Sequence, residues 1–464
     1  GSTHILRQHP SRNRDMKHLL LKADEDTRRE FVSYLAKSFL GVGLVNLAGC
    51  GNTEQAGTPP LTQGEQDEVV ISADGETTPR RAPTAKAVIY LYMSGGMSHL
   101  DSWDPKPGRD VMGPSSAIST NADGIQVGNN FSRMAKHMNK VAVINSMHTT
   151  QGAHAQGNYF MHTSYTKRAS ITHPGLGSWI SRLSGPGNPE IPNNVFIGGE
   201  RGTGGVGFFE SLHGPVAIGD PTHGLKNTTR RNGVTETELS KRLALAEQLD
   251  LEFHSEFDQK QVRAYNTMYE KAVELMQSED LVAFDVSKEP KAAHEKFGKS
   301  KFGQGCLLAR RLVENGVRFV EVNLGGWDHH NQIEENFAEK SSQLDQGMAA
   351  LLDDLEQRGL LDETIVVLAT EFGRTPNINQ NAGRDHYPKA FSCLLAGGGI
   401  VGGQKYGMTD EDGKNVIAKK VEVPDLNATI AYGLGLPYNE VVYSPSKRPF
   451  TVTDTGNPLI SLFG

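Results

Sequence analysis

The chain has 464 residues, with 47 lysines and arginines against 54 aspartates and glutamates, a net charge of −7. That near-balance excludes nucleic-acid binding carried by bulk charge, and the length allows one large α/β domain or two ordinary ones. Three cysteines exclude a disulfide framework, while 51 glycines point to a loop-rich domain with tight turns between strands and helices.

Residues 3–30 are polar and charged. Arg28-Arg29 stand just before Glu30-Phe31, and a moderately apolar run then continues to Leu47-Ala48-Gly49-Cys50. The paired arginines, Phe31 and the small residues before Cys50 resemble a twin-arginine export signal closed by a lipobox, spanning 1–50. Lys37 makes the run a poor permanent membrane span. The resemblance implies export to the periplasm or cell surface, with the membrane reached through a lipidated Cys50. On the residues alone, the alternative is an amphipathic helix opening a cytosolic protein. Residues 51–85, rich in Thr, Gly, Gln, Glu and Pro without an apolar period, read as a flexible tether.

The folded domain is expected over 86–464. Residues 87–93 are an apolar run of buried-strand type. The run breaks at Ser94-Gly95-Gly96 and leads to His99, Asp101 and Asp104. His99 and Asp101 would face one ion, or the aspartates cap turns, which is the reading for Asp104. Residues 131–139 read as helix. Residues 141–144 read as a strand ending in a polar run that holds His148, Thr150 and His154. Helices follow over 155–183 with a loop at 172–175, then a strand at 195–197. The Gly-rich loop 198–207 lacks a phosphate-binding lysine and the strand–helix placement of a dinucleotide fingerprint, so it reads as a rim loop. Residues 235–278 have helical apolar spacing, with His254 solvated, as is His294 beyond them. An amphipathic helix at 303–315 contains Cys306 and is stopped by Gly316.

The strand at 317–324 runs into Gly325-Gly326-Trp327-Asp328-His329-His330-Asn331. A helix over 332–358 follows, with Leu344, Met348, Leu351, Leu352 and Leu355 at core spacing and a stop at Gly359. A strand at 364–369 leads to Thr370-Glu371-Phe372-Gly373-Arg374-Thr375-Pro376. Gly383-Arg384-Asp385-His386 precedes a strand at 391–396 that holds Cys393. A short helix covers 426–432, and the tail from Pro437 reads as irregular. Strand–helix alternation predicts an α/β fold, a mostly parallel sheet flanked by helices on both faces. The acid and imidazoles at strand carboxyl ends lie where such sheets place a ligand crevice. Asp with His suits a zinc- or manganese-type divalent ion.

The blocks Gly95 to Asp101, Gly325 to His330, Glu371 to Pro376 and Gly383 to His386, in that order, resemble sulfatase-like, twin-arginine-exported bacterial proteins of the alkaline phosphatase superfamily. The resemblance covers 86–436. It implies an alkaline phosphatase-like fold and one divalent metal on Asp328, His330 and His386. For a second metal the family pattern has an acid after the first strand, where this chain has Gly95-Gly96, leaving His99 and Asp101 as substitutes. The pattern's Asp-His pair appears as Glu371-Phe372. His154 is a further candidate ligand; His148 and His329 are not. Glu371 would be a second-site ligand or general base, and Arg374 or Arg384 would stabilise an anionic transition state.

Thr150 lies where phosphodiesterase-like relatives carry their nucleophile, with water as the alternative attacker. A formylglycine is excluded, because the 306–310 stretch has its alanine at the wrong offset and the 77–81 stretch begins with threonine. The implied function is metal-dependent hydrolysis of an anionic phosphate or sulfate ester, such as a sulfated or phosphorylated glycan, at the cell envelope. The alternative is a non-catalytic, lipid-anchored metal-binding scaffold of the same fold.

Overall fold

A run such as Ala87-Val88-Ile89-Tyr90-Leu91-Tyr92 has no polar face, so a strand made from it must be covered on both sides. The computed structural model, which describes residues 69–79, 82–199, 204–225, 271, 275 and 278–464, places this run near the middle of a nine-stranded sheet. Its strands are β1 (Ala87–Tyr92), β2 (Val141–His148), β3 (Asn194–Ile197), β4 (Val216–Ile218), β5 (Phe319–Asn323), β6 (Thr364–Ala369), β7 (Phe391–Ala396), β8 (Gln404–Tyr406) and β9 (Val421–Glu422). Their order across the sheet is β8-β2-β7-β6-β1-β5-β3-β4, with β9 also pairing β2. Every pairing is parallel except those of β7, which runs antiparallel to both β6 and β2.

The helices that cover the sheet are α1 (His154–Thr163), α2 (Leu176–Leu183), α3 (Lys291–Phe297), α4 (Lys301–Glu314), α5 (Ile333–Gln357) and α6 (Val423–Gly433). Side chains alternate along each strand. Ile89, Leu91, Val320, Val322, Val366 and Leu368 therefore join the core built with α4 and α5. Val88, Tyr90, Phe319, Ile365 and Val367 join the core built with α1, α2 and α6. Local signals set the helix ends. Ser300 Oγ caps α4, and Gly316, at φ +92°, follows it in the left-handed region. A reciprocal Glu422–Asp425 capping box and Pro424 in the first turn start α6.

The expected tether is corrected at its carboxyl end. Val69–Ile71 pairs with Thr77–Pro79 in an antiparallel ribbon, Val70 is buried, and the Ala73 N–H donates to Pro458 O at 3.0 Å. A valine with a core to enter outweighs the polar composition around it. Residues 131–139 form two 3₁₀ turns, Met134–Lys136 and Met138–Lys140, instead of one helix. The tail gains a short ribbon, Val442–Tyr443 with Pro449–Phe450. The expected export signal, the rest of the expected tether up to residue 68 and nearly all of 235–278, including His254, lie outside the described residues.

Candidate metal centre

Parallel strands deliver their following loops to one edge of the sheet. Loops after β1, β2, β5 and β6 therefore meet there. Because β7 is antiparallel, the segment that precedes it arrives at the same edge. This brings 325–331, 370–376, 383–388 and the first turn of α1 together. Two glycines permit the approach. Gly95 has φ +121°, and a Cβ on it would fall 2.7 Å from the backbone nitrogens of Trp327 and Asp328. A Cβ on Gly383 would fall 2.0 Å from the His330 carbonyl carbon. Gly95 also donates its N–H to Glu371 Oε1 at 2.8 Å.

Three imidazoles surround the Asp328 carboxylate. His330 Nε2 lies 3.0 Å and His386 Nε2 3.2 Å from Oδ1, and His154 Nε2 lies 3.3 Å from Oδ2. One ligand atom each from His154, Asp328 and His386 falls within 4.8 Å of the others. Every Nδ1 is turned outward onto an oxygen. His154 donates to Glu371 Oε1 at 2.9 Å, His330 to Asp385 Oδ1 at 2.8 Å, and His386 to the Gly152 carbonyl at 2.9 Å. A neutral imidazole carries one N–H, so each Nε2 presents its lone pair to the centre.

Two of these nitrogens, on His330 and His386, stand 3.1 Å apart. His154 Nε2 is buried without a hydrogen bond, despite its proximity to Asp328. Lone pairs facing one another over a carboxylate repel unless a cation lies among them. Imidazoles fixed through Nδ1 by carboxylates or carbonyls are the arrangement metal sites use to orient their histidines. The donor set, nitrogens plus one carboxylate, fits a borderline divalent ion.

The electrostatics agree. Burial pushes the Asp328 carboxyl up, but the Arg374 guanidinium above all outweighs it, and the group is held at about 2. The hydrogen bond to Glu371 raises His154 above its ordinary value against the opposing effect of burial. The field that favours a proton there favours a metal cation too.

Several predicted site residues have other work. Arg374 donates to Asp328 Oδ1 at 2.5 Å, to Gly96 O at 2.7 Å, to Arg384 O at 3.0 Å and to the Gly95 carbonyl. Four of its five N–H donors go to loop carbonyls and one carboxylate, so it positions Asp328. Arg384 is fully buried. It holds Asp101 at 2.8 Å and the carbonyls of Val111, Thr375 and Pro376. Asp101 therefore neutralises Arg384, with Ser98 and Ser115 hydroxyls on the same carboxylate, and is not placed to ligate.

His99 binds Gly413 O at 2.8 Å, away from the cluster. Glu371 accepts from Gly95, His154, Tyr92 and Thr370, so it supports His154 and does not face the centre. The Thr150 side chain is exposed, and its one hydrogen bond among the described residues comes from Gln151 Nε2 at 3.0 Å. His148 pairs with Glu422, and His329, which burial drives down to about 4, lies outside the cluster.

Asp385 and the Gly152 carbonyl were missed by sequence reasoning. Asp385 lies in the Gly383 to His386 stretch, between Arg384 and His386. A second-row acid beside a ligand histidine was the available signal.

A family model described as "Protein of unknown function (DUF1501)" matches residues 85–463, and the chain belongs to that family. No curated protein matches it. Among solved structures, it is similar to the PsFucS1 sulfatase from Pseudoalteromonas sp., at 12% identity and TM-score 0.41 over 83% of this chain and 72% of that one. It is also similar to a protein in the alkaline phosphatase superfamily from Vibrio parahaemolyticus, at 12% identity and TM-score 0.36 over 89% and 76%. A third is the soluble domain of lipooligosaccharide phosphoethanolamine transferase A from Neisseria meningitidis, at 10% identity and TM-score 0.35 over 82% and 94%. Likeness this distant assigns neither activity nor ligand to the chain.

Proposed function

We propose that this chain is a metal-dependent hydrolase of phosphate or sulfate esters with an alkaline phosphatase-like fold, exported to the cell envelope. The observation that carries the metal is the convergence of three Nε2 lone pairs on Asp328 while each Nδ1 is held from behind. His154, Asp328, His330 and His386 would hold the ion, of zinc or manganese type. When bound, such an ion polarises an ester oxygen and lowers the pKa of water. Glu371, Asp385 and Gly152 orient the imidazoles, and Arg374 fixes Asp328. The ester class comes from the ordered blocks shared with the alkaline phosphatase superfamily.

Among the described residues Thr150 has no base or cation in contact, which leaves the attack to water. Elemental analysis of purified chain and of His154→Ala and His386→Ala tests the metal. Aryl phosphates, phosphodiesters and aryl sulfates then test turnover. Full metal content in both variants would sink the ligand set. Metal without turnover on any ester would leave the scaffold role. Thr150→Ala should retain most activity, and a loss of orders of magnitude would restore Thr150 as nucleophile.

The N-terminal part of the proposal is export through Arg28-Arg29 and lipidation at Cys50. Intact-mass measurement on protein from its native membranes decides it. An unlipidated chain retaining residues 3–49 would overturn it.

A further inference from the structure

At the far end of α1 from His154 the chain encloses a second cleft, of about 480 Å³. The helix holds ten residues, so at ~1.5 Å per residue its two ends lie ~15 Å apart. The cleft is separate from the metal centre. Its walls are Tyr165, Arg168 and His173 from the segment after α1, and Phe450 of the C-terminal ribbon with Arg448 and Asp454 to either side of that strand.

The aromatic wall is rigid. Tyr165 stacks on His173 with ring centroids 4.5 Å apart and planes at 9°, and Phe450 meets both rings edge-on at 5.4 and 5.0 Å. The Tyr165 hydroxyl donates to Thr451 O at 2.8 Å and accepts from Thr451 N–H at 3.0 Å. His173 is buried, and the Tyr159 hydroxyl bonds both its Nδ1 and its backbone N–H, each at 2.7 Å. Burial, with Arg168 nearby, drives its imidazole down to about 4, so it adds no charge to the wall. A wall already fixed in place loses little freedom on binding.

The charged groups lie at the rim. Arg168 and Arg448 are exposed, and neither has a carboxylate within 4 Å among the described residues. Asp454 lines the same space. Two exposed guanidinium forks, one of them in the field of Asp454, call for an anion. A carboxylate beside them calls for hydroxyl donors in the same ligand, and the aromatic rings call for an apolar ring face. A sugar ring bearing a sulfate or carboxylate has all three; a purely anionic ligand such as free phosphate has only the first. We infer that this cleft binds an anionic carbohydrate, with its sulfate or carboxylate on Arg168 and Arg448, its hydroxyls on Asp454 and its ring against Tyr165 and Phe450.

The assignment does not rest on the metal reading of the other site. Calorimetric titration of the full chain with hexasaccharides of chondroitin sulfate, hyaluronan and maltose tests it without turnover. Both anionic probes should bind and the neutral one should not. A preference for chondroitin sulfate over hyaluronan assigns the forks to sulfate, and parity assigns them to carboxylate. Arg168→Gln with Arg448→Gln should weaken binding about tenfold or more. Phe450→Leu should weaken it too, and Asp328→Asn should leave it unchanged. Both arginines are exposed, so unaltered thermal unfolding of the double variant shows that the fold is intact. The inference is overturned if neither anionic probe binds or if maltohexaose binds equally. It is also overturned if the arginine variants bind like wild type, or if Asp328→Asn alone abolishes binding, which places the sugar at the metal centre.

Discussion

The two residues that flank His386 on its N-terminal side divide their duties in a way that sequence spacing does not show. Arg384 and Asp385 are adjacent and both charged, yet one is fully buried against Asp101 and the other is exposed beside His330. Removing Arg384 leaves an uncompensated buried carboxylate, so Arg384→Met should cost about 3–5 kcal/mol of stability in urea unfolding. A loss below ~1 kcal/mol would show that Asp101 finds another partner. Asp385→Ala should leave the urea midpoint nearly unchanged, since the side chain is exposed. It should weaken metal binding about 10–100-fold by freeing the His330 ring. Competition with a chelator of known affinity measures that, and wild-type affinity would remove Asp385 from the site. His386 and His330 were legible because they follow or precede apolar runs. The destinations of the arginines were not, since only the folded loops reveal which carbonyls need donors.

At the scale of elements, the apolar runs at 87–92, 319–323, 364–369 and 391–396 announced the central strands, and Gly316 and Gly359 marked the helix stops. What composition concealed was the ribbon at 69–79, whose fate the buried Val70 decides. Val70→Asp should cost about 2–3 kcal/mol, read as a lowered urea midpoint; no change would return this stretch to a tether.

A second link between elements is also hidden in sequence. His162 on α1 and Glu321 on β5 are both buried, with Nε2 to Oε1 at 3.1 Å, and His162 Nδ1 donates to Asn158 O at 2.7 Å. Both ring nitrogens face oxygens, so the imidazole holds its second proton. Burial pulls its pKa down, but Glu321, with the Asn158 carbonyl and Glu371, outweighs it and the net shift is upward. A pKa raised on folding stabilises fully below the unfolded value, ~6.5. The contribution is lost as pH rises through the folded value. Urea midpoints should therefore fall as pH rises above about 6.5, and Glu321→Gln should flatten that fall. An equally steep fall in the variant would place its source elsewhere.

For the whole molecule, the centre joins parts of the chain that are far apart in sequence: α1 at 154, the loop after β5 at 328 and the segment before β7 at 386. A ligand that binds only when these are assembled stabilises the folded state by RT ln(1 + [L]/Kd), about 2.7 kcal/mol when free metal is a hundred times Kd. Because the loops come from β2, β5 and the approach to β7, the gain belongs to the sheet as a unit rather than to one loop. Thermal unfolding of chelator-treated chain should therefore shift upward by several degrees as one transition when zinc or manganese is added. The same addition to His386→Ala should give a much smaller shift, since one imidazole of the set is gone. Asp328→Asn should also lose most of the shift, because among the described residues its carboxylate is the one anionic group near all three imidazoles. If zinc and manganese leave the wild-type transition unmoved, the lone pairs around Asp328 are satisfied by protons and the metal assignment fails. If the metal moves wild type and both variants alike, it binds elsewhere on the chain.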